Sequence, residues 1–129
     1  MTGRRARRAA LALTLTAAVG VAAIAGVATA ARTATRNLSA SGTTLAFNKK
    51  TLTAPKGQVQ LVLTNRAPLR HNVAIRGNGL APKKGKVVGQ GGVSRVTATV
   101  KPGKYTYYCS VPGHERAGMK GTLTVPRPR

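Results

Sequence analysis

The scarcest chemically active residues of this chain are crowded together near its C-terminus. Its single cysteine, Cys109, is followed closely by His114 and Met119 in the stretch "YYCSVPGHERAGMK", and the second histidine, His71, lies earlier in the chain. One thiolate, two imidazoles and one thioether are the donors of a copper site with a trigonal His₂Cys plane and a long axial methionine. The residue types therefore point to copper chemistry before any fold is considered.

Other readings of the same residues stay open at this point. Taken singly, a cysteine or methionine is commonly a buried apolar residue, and a histidine is commonly a surface group. Zinc would need a fourth nitrogen, sulfur or carboxylate donor, for which methionine is a poor substitute. A catalytic dyad of Cys109 and His114 would need an acid or amide to orient the histidine, and none is obviously placed. The joint pattern favours copper over each of these alternatives.

The charge of the chain excludes several classes of enzyme. It has 22 lysines and arginines against a single acid, Glu115, which gives a net charge of +21. Paired-carboxylate catalysis, oxygen-rich calcium or magnesium sites and a Ser-His-Asp triad all need acids that the chain lacks. We therefore predict a protein that is not an enzyme. Its basic surface is expected to attract acidic proteins or anionic membrane and cell surfaces.

Residues 1–31 have the pattern of an export signal. Four arginines precede a long uncharged segment, and Ala28-Thr29-Ala30 supplies the small-x-small motif of a cleavage site. The alternative is an uncleaved membrane anchor, because the uncharged segment is long enough to span a bilayer. We predict a protein of the periplasm or extracytoplasmic cell surface. A lone cysteine in that oxidising environment cannot form an internal disulfide, and a bound metal would explain it.

The elements that must position the four donors read as β-strands. After a flexible leader at 32–42, a domain at 43–126 alternates polar and apolar residues between Gly- and Pro-rich turns, and a basic tail follows at 127–129. This pattern predicts an all-β fold, an antiparallel Greek-key β-sandwich of seven to eight strands. The candidate strands are 43–47, 51–54, 58–65, 72–76, 86–88, 93–100, 104–109 and 121–125. His71 then begins one strand, Cys109 ends another, and His114 and Met119 lie on the following loop.

Four segments of this domain resemble the cupredoxins of the plastocyanin/azurin family. They are "TAPKGQVQLVLTN", "HNVAI", "PGKYTYYCSVPGH" and "AGMKGTLTV", and together the resemblance runs from about Thr43 to Val125. The Cys-x₄-His-x₄-Met spacing is longer than that of plastocyanin and similar to the loops of rusticyanin and auracyanin. The resemblance implies one type 1 copper bound by His71, Cys109, His114 and Met119, and an electron-transfer role.

The resemblance also implies supporting roles around the metal. Asn72 matches the residue that ties the two ligand-bearing segments together by hydrogen bonds. Pro112 and Gly113 would restrict and shape the ligand loop. Tyr105 is expected to form a tyrosine corner, which is a structural feature.

Two residues are candidates for the path of the electron. His114 matches the histidine whose ring edge reaches the surface in this family, so it is the expected electron port. Tyr108 is a candidate for a second, remote route, with an ordinary half-exposed strand tyrosine as the alternative. The chain's only acid, Glu115, adjoins His114, and its role stays open.

Three functions compete at this stage. The first is an exported electron carrier, acting as a monomer with an acidic redox partner such as a cytochrome or an oxidase. This charge pattern is the reverse of plastocyanin, which presents an acidic patch to basic partners. The second is copper storage or delivery through the same ligands. The third is a basic module that binds nucleic acid or another anionic polymer, which an export signal, one phenylalanine and no tryptophan argue against.

Overall fold

Two β-sheets pack face to face in this chain. The computed structural model describes residues 20, 26 and 32–129. The strands are β1 (Ala34–Ala40), β2 (Thr51–Thr53), β3 (Gly57–Asn65), β4 (Ala74–Gly77), β5 (Leu80–Lys84), β6 (Val93–Val100), β7 (Gly103–Tyr108) and β8 (Lys120–Val125). No α-helix occurs among the described residues. The predicted all-β sandwich is confirmed.

The smaller sheet has the order β1-β3-β6. Strand β3 is its centre, and its alternating pattern sends Val59, Leu61 and Leu63 into the core while the residues between them are less buried. This alternation is the reason the sequence forms a strand with one face against the second sheet.

The larger sheet has the order β2-β8-β7-β4-β5. Strand β7 is its centre and sends Tyr105 and Tyr107 inward, where the Tyr107 ring lies 5.6 Å from the Phe47 ring. β1 with β3 and β2 with β8 pair in parallel, and the other pairs are antiparallel. The sheets are therefore mixed rather than purely antiparallel.

Three predicted segments differ from the structure. The leader at 32–42 is not flexible along its length, because β1 pairs with β3 and buries Leu38 and Ala40. Residues 43–47 do not form a strand, although Phe47 is buried. Residues 86–88 are also not a strand, and β5 lies earlier, at Leu80–Lys84. Strand β5 is an exposed edge that contains a proline, so it shows no apolar alternation in the sequence.

The predicted export segment falls almost entirely outside the described residues. Of positions 1–31, the structure describes Gly20 and Gly26 alone. Within the described part of the chain, no helix has the length and apolar character that a membrane crossing requires.

The pairing of β4 with β7 determines where the scarce donors meet. Ala74 at the start of β4 is the partner of Tyr108 at the end of β7, because the two strands are antiparallel. The residue segments just before β4 and just after β7 therefore lie at the same end of the sandwich. These segments contain His71 and Cys109.

Candidate metal centre

His71 is held in place by the backbone of a neighbouring loop. It precedes β4, and its N–H donates to the Val88 carbonyl at 3.1 Å while its own carbonyl accepts from the Val88 N–H at 2.9 Å. This pair of bonds forms an isolated antiparallel bridge. The main chain of the first histidine is thus fixed before any metal binds.

The loop after β7 is closed by its own backbone. The N–H of Cys109 donates to the Met119 carbonyl at 3.0 Å, and the Met119 N–H donates to the His114 carbonyl at 3.0 Å. The loop turns through Gly113, whose φ of +83° is readily adopted by glycine and costly for other residues. The loop therefore brings the backbones of Cys109, His114 and Met119 close together.

Three donor atoms form a small triangle at this end of the sandwich. The Nδ1 atoms of His71 and His114 are 3.1 Å apart. The Sγ of Cys109 lies 3.9 Å from Nδ1 of His71 and 3.6 Å from Nδ1 of His114. The point equidistant from these three atoms lies about 2.1 Å from each, within the range of about 2.0–2.3 Å for imidazole and thiolate bonds to a metal such as zinc. The donors therefore fit a single metal ion.

Three of the four candidate ligands are shielded from solvent. His71, Cys109 and Met119 are fully buried, whereas His114 is half-buried. Burial, together with the nearby His114, lowers the pKa of His71 and so favours its neutral, metal-binding form. Nε2 of His71 is the one buried side-chain nitrogen or oxygen in the described part of the chain that has no hydrogen-bond partner.

The Asn72 side chain connects the segment that contains His71 to the segment that contains Cys109. Its side-chain N–H donates to the Ser110 Oγ at 2.7 Å and to the Gly85 carbonyl at 2.9 Å, and its Oδ1 accepts from the Ser110 N–H at 2.7 Å. These bonds connect the residue after His71 to the residue after Cys109. A Cβ at Gly85 would lie 2.6 Å from the Ser94 Oγ, so this close approach requires glycine.

Sequence reasoning missed Ser110 and Gly85 as partners of Asn72. The one sequence feature that could have indicated Ser110 is its position directly after the candidate ligand Cys109. Gly85 gave none, because its contribution is a backbone carbonyl that only the folded chain brings near Asn72.

Tyr108 is covered rather than half-exposed. Only 6% of its surface is accessible, and the guanidinium of Arg76 lies 4.2 Å from the centre of its ring. Arg76 also forms an ion pair with Glu115, and this hydrogen bond lowers the pKa of the Glu115 carboxyl. The sequence did not reveal Arg76 as the partner of the chain's only acid.

The arrangement weakens the two competing interpretations. Zinc lacks a fourth strong donor, since the Glu115 carboxylate is bound to Arg76. A cysteine dyad lacks an orienting group, since the Asn72 side chain bonds to Ser110 and Gly85 rather than to a histidine. A buried thiol, two imidazoles and a buried thioether are the donors that suit copper in both of its common oxidation states.

Comparisons with known proteins agree with this geometry. The model of the family "Copper binding proteins, plastocyanin/azurin family" matches residues 34–126. Auracyanin-B of Chloroflexus aurantiacus is 67% identical over 27 residues, a match that spans 21% of this chain and 12% of that protein.

Solved structures of auracyanins are similar over most of the chain. The dithionite-reduced auracyanin of Roseiflexus castenholzii has a TM-score of 0.62 at 27% identity, covering 72% of this chain and 97% of its own. Auracyanin A of Chloroflexus aurantiacus, described as a "blue" copper protein, has a TM-score of 0.61 at 25% identity, covering 73% of this chain and 99% of its own.

Proposed function

Because the chain belongs to the plastocyanin/azurin family of copper-binding proteins, we propose that it is an electron carrier that transforms no substrate. One type 1 copper would be bound by His71, Cys109 and His114, with Met119 as the weak axial ligand. The observation that supports this most directly is the triangle of two imidazole nitrogens and one thiolate sulfur around a single point. Bound there, copper supplies a one-electron Cu(II)/Cu(I) couple.

The protein's contribution to this function is a rigid, dry set of donors. The backbone bonds of His71 and of the loop from Cys109 to Met119 fix the ligands before metal binding, so little has to move when the charge changes. Asn72 holds the two segments together and thereby fixes the distance between His71 and Cys109. Burial of three of the four donors excludes water from the site.

His114 is the proposed electron port. It is the one member of the ligand set that is not fully buried, and it follows the exposed residues Pro112 and Gly113. A partner that docks on this loop would contact the edge of a metal ligand directly. Tyr108 is a poorer candidate for a second port, since the Arg76 guanidinium covers its ring.

The charge and the first residues of the chain suggest where the protein acts. A net charge of +21 favours an acidic redox partner, with an association that salt weakens. The arginines and the small-x-small motif at 1–31 support export to the periplasm or the extracytoplasmic cell surface.

The experiment that tests the proposal is addition of Cu(II) to the purified domain 32–129. We expect one equivalent of copper to bind and to give an intense visible band from charge transfer between the Cys109 thiolate and copper. The Cys109→Ser variant should lose this band. A colourless wild-type complex, or a band that survives Cys109→Ser, would contradict the proposed copper site.

A second measurement separates electron transfer from copper storage or delivery. An electron carrier should exchange electrons rapidly with a small redox protein and retain its metal against a chelator. Slow exchange combined with rapid loss of copper to the chelator would favour delivery.

A further inference from the structure

A basic surface covers the outer side of the larger sheet and extends to the start of the ligand loop. We call it the Arg76 face and define it by the cations Lys50, Arg76, Lys84, Arg116 and Lys120, together with the hydroxyls of Thr106 and Thr122. None of these side chains belongs to the proposed ligand set. Their grouping therefore needs an explanation of its own.

Strand register places the centre of this face. Arg76 on β4 pairs with Thr106 on β7, and Thr106 pairs with Thr122 on β8, so the three side chains lie side by side across the sheet. Tyr108 and Lys120 pair with each other two residues further along the same strands. The intervening residues Ile75 and Tyr107 are buried in the core. Because side chains alternate along a strand, Arg76, Thr106 and Thr122 lie on the outer side of the sheet.

Two clefts lie on this face. One of about 410 Å³ is lined by Lys50, Arg76 and Lys120 with the two threonines. The other, of about 480 Å³, is lined by Lys84 and Arg116 together with the start of the ligand loop. Both clefts offer ammonium or guanidinium groups beside hydrogen-bond donors, which is the chemistry that carboxylates recognise.

The chain's only acidic side chain, Glu115, neutralises a single cation of this face directly, which is Arg76. Glu115 lines the larger cleft but is paired with Arg76, and Arg76 in turn stacks on Tyr108. Lys120 is also attracted to the Glu115 carboxylate. Lys50, Lys84 and Arg116 have no further acidic side chain to pair with, since Glu115 is the single acidic side chain of the sequence. The face is therefore complementary to an acidic surface.

We propose that the Arg76 face binds aspartate and glutamate side chains of the protein that exchanges electrons with the copper site, an inference that rests on the proposed function. Strand β7 runs under this face and ends at Tyr108, directly before the Cys109 ligand. A partner bound here would be oriented close to the metal end of the molecule. The face would then attract and orient the partner by its charge, while the His114 loop would supply the contact through which the electron passes.

An anionic membrane fits these features less well than an acidic protein. Membrane-surface binding combines cations with apolar side chains that insert among the lipids. Among the residues that the structure describes, Leu69 is the single exposed large hydrophobic residue, and it lies in the loop before β4, outside the Arg76 face.

The test uses a fluorescent octaglutamate peptide and the copper-loaded protein at low ionic strength. The Lys50→Gln/Lys120→Gln variant removes two cations of the face. Lys56→Gln/Lys101→Gln is the matched control. These substitutions remove the same amount of charge, but the two lysines line other clefts. We expect peptide binding about three- to tenfold weaker in the first variant and nearly unchanged in the second. Equal weakening in both would overturn the proposal in favour of diffuse charge attraction.

A third variant tests the role of the acid. Glu115→Gln removes the only carboxylate from the face and releases Arg76 from its ion pair, so peptide binding should become tighter. Unchanged or weaker binding would contradict the placement of Arg76 within the binding face.

Two further arms separate other anions from protein carboxylates. Inorganic phosphate that displaces the peptide far better than chloride at equal ionic strength would indicate a small-oxyanion site and overturn the assignment. Phosphatidylglycerol vesicles that bind the wild type but not Lys50→Gln/Lys120→Gln, while the peptide binds both alike, would indicate a membrane surface and overturn it as well.

Failure of this proposal can be distinguished from failure of the copper proposal. Peptide binding does not depend on the visible band, so it is measured in parallel on Cys109→Ser. If the face acts as proposed, this variant binds the peptide like the wild type although it has lost its colour. Loss of peptide binding in Cys109→Ser would contradict the claim that the Arg76 face binds the peptide independently of the metal ligands.

Discussion

The two ends of strand β7 bury polar side chains in opposite ways. At its start, the hydroxyl of Tyr105 donates to the Lys101 carbonyl at 3.1 Å and accepts from the Lys101 N–H at 2.9 Å. Beyond its end, the donor atoms of His71, His114 and Cys109 converge on one another, and Nε2 of His71 has no partner.

The difference shows how a structural end and a functional end can be told apart. Buried polar groups are almost always satisfied within the protein, and Tyr105 follows that rule as the tyrosine corner expected from the sequence. The opposite end departs from it, since its donors face a common point rather than complementary donors and acceptors. A metal ion at that point would be bound by Nδ1 of His71, Nδ1 of His114 and Sγ of Cys109. Substitutions at the two ends of β7 are expected to lower the folding stability of the metal-free protein by different amounts.

Asn72→Ala should have the largest effect. It removes a side chain that is 1% exposed and leaves the Ser110 N–H and the Gly85 carbonyl without their partner. We expect the free energy of unfolding to fall by about 2–4 kcal/mol. Because the two ligand segments lose their connection, the visible copper band should also shift or weaken. Urea denaturation and absorption spectra measure the two effects, and an unaltered spectrum would contradict the role of Asn72 at the metal.

Tyr105→Phe is the matched change at the other end of β7. It leaves the Lys101 N–H and carbonyl without the phenol, so we expect a loss of about 1–2 kcal/mol in the free energy of unfolding. The copper band should stay as in the wild type, since the Tyr105 hydroxyl bonds to Lys101 and Asn78 rather than to a ligand segment. A shifted band would show that the two ends are coupled through β7.

Tyr107 lies between Tyr105 and the metal end of β7, and its phenol should make the folding stability depend on pH. Its hydroxyl donates to the Lys49 carbonyl at 2.7 Å, and burial raises the pKa of Tyr107 to about 12. The fold thus favours the neutral phenol, whose stabilising contribution is complete below the unfolded pKa of about 10 and is lost as pH rises toward 12.

The measurement compares the wild type with Tyr107→Phe across this range. At pH 8 the wild type should be more stable by about 1 kcal/mol, because it retains the hydrogen bond to Lys49. The difference should shrink between pH 10 and pH 12, because the phenol ionises in the unfolded chain while it stays neutral in the folded protein. A difference that stays constant to pH 12 would rule out the raised pKa.

Met119→Leu should have a small effect on folding stability and a clear effect on the copper reduction potential. The two side chains have similar volumes, so we expect a loss of less than about 1.5 kcal/mol at this buried position. Removal of the thioether should raise the copper reduction potential, because the axial donor no longer stabilises the oxidised metal. Voltammetry of the copper-loaded variant tests this, and an unchanged potential would show that Met119 is core filling without a role at the copper.

Much of the fold could be predicted because its strands alternate cleanly. Strands β3 and β6 each present one apolar face, and that period is visible in the sequence. Strand β1 was missed because its small polar residues look like a linker, and its order comes from parallel pairing with β3. Strand β5 was misplaced because an exposed edge strand has no buried face to produce an alternating pattern.

The sequence by itself determined the donor set and the charge. One cysteine, two histidines and one methionine besides Met1 leave no other choice of sulfur and imidazole ligands, and a single acidic side chain leaves no oxygen-rich metal site. Only the folded chain shows which of these residues meet. The pairing of β4 with β7 brings His71 close to Cys109. Asn72 bonds to Ser110, and Arg76 forms an ion pair with Glu115. These contacts join segments far apart in the chain, and their register depends on packing of the whole sheet, which no local pattern encodes.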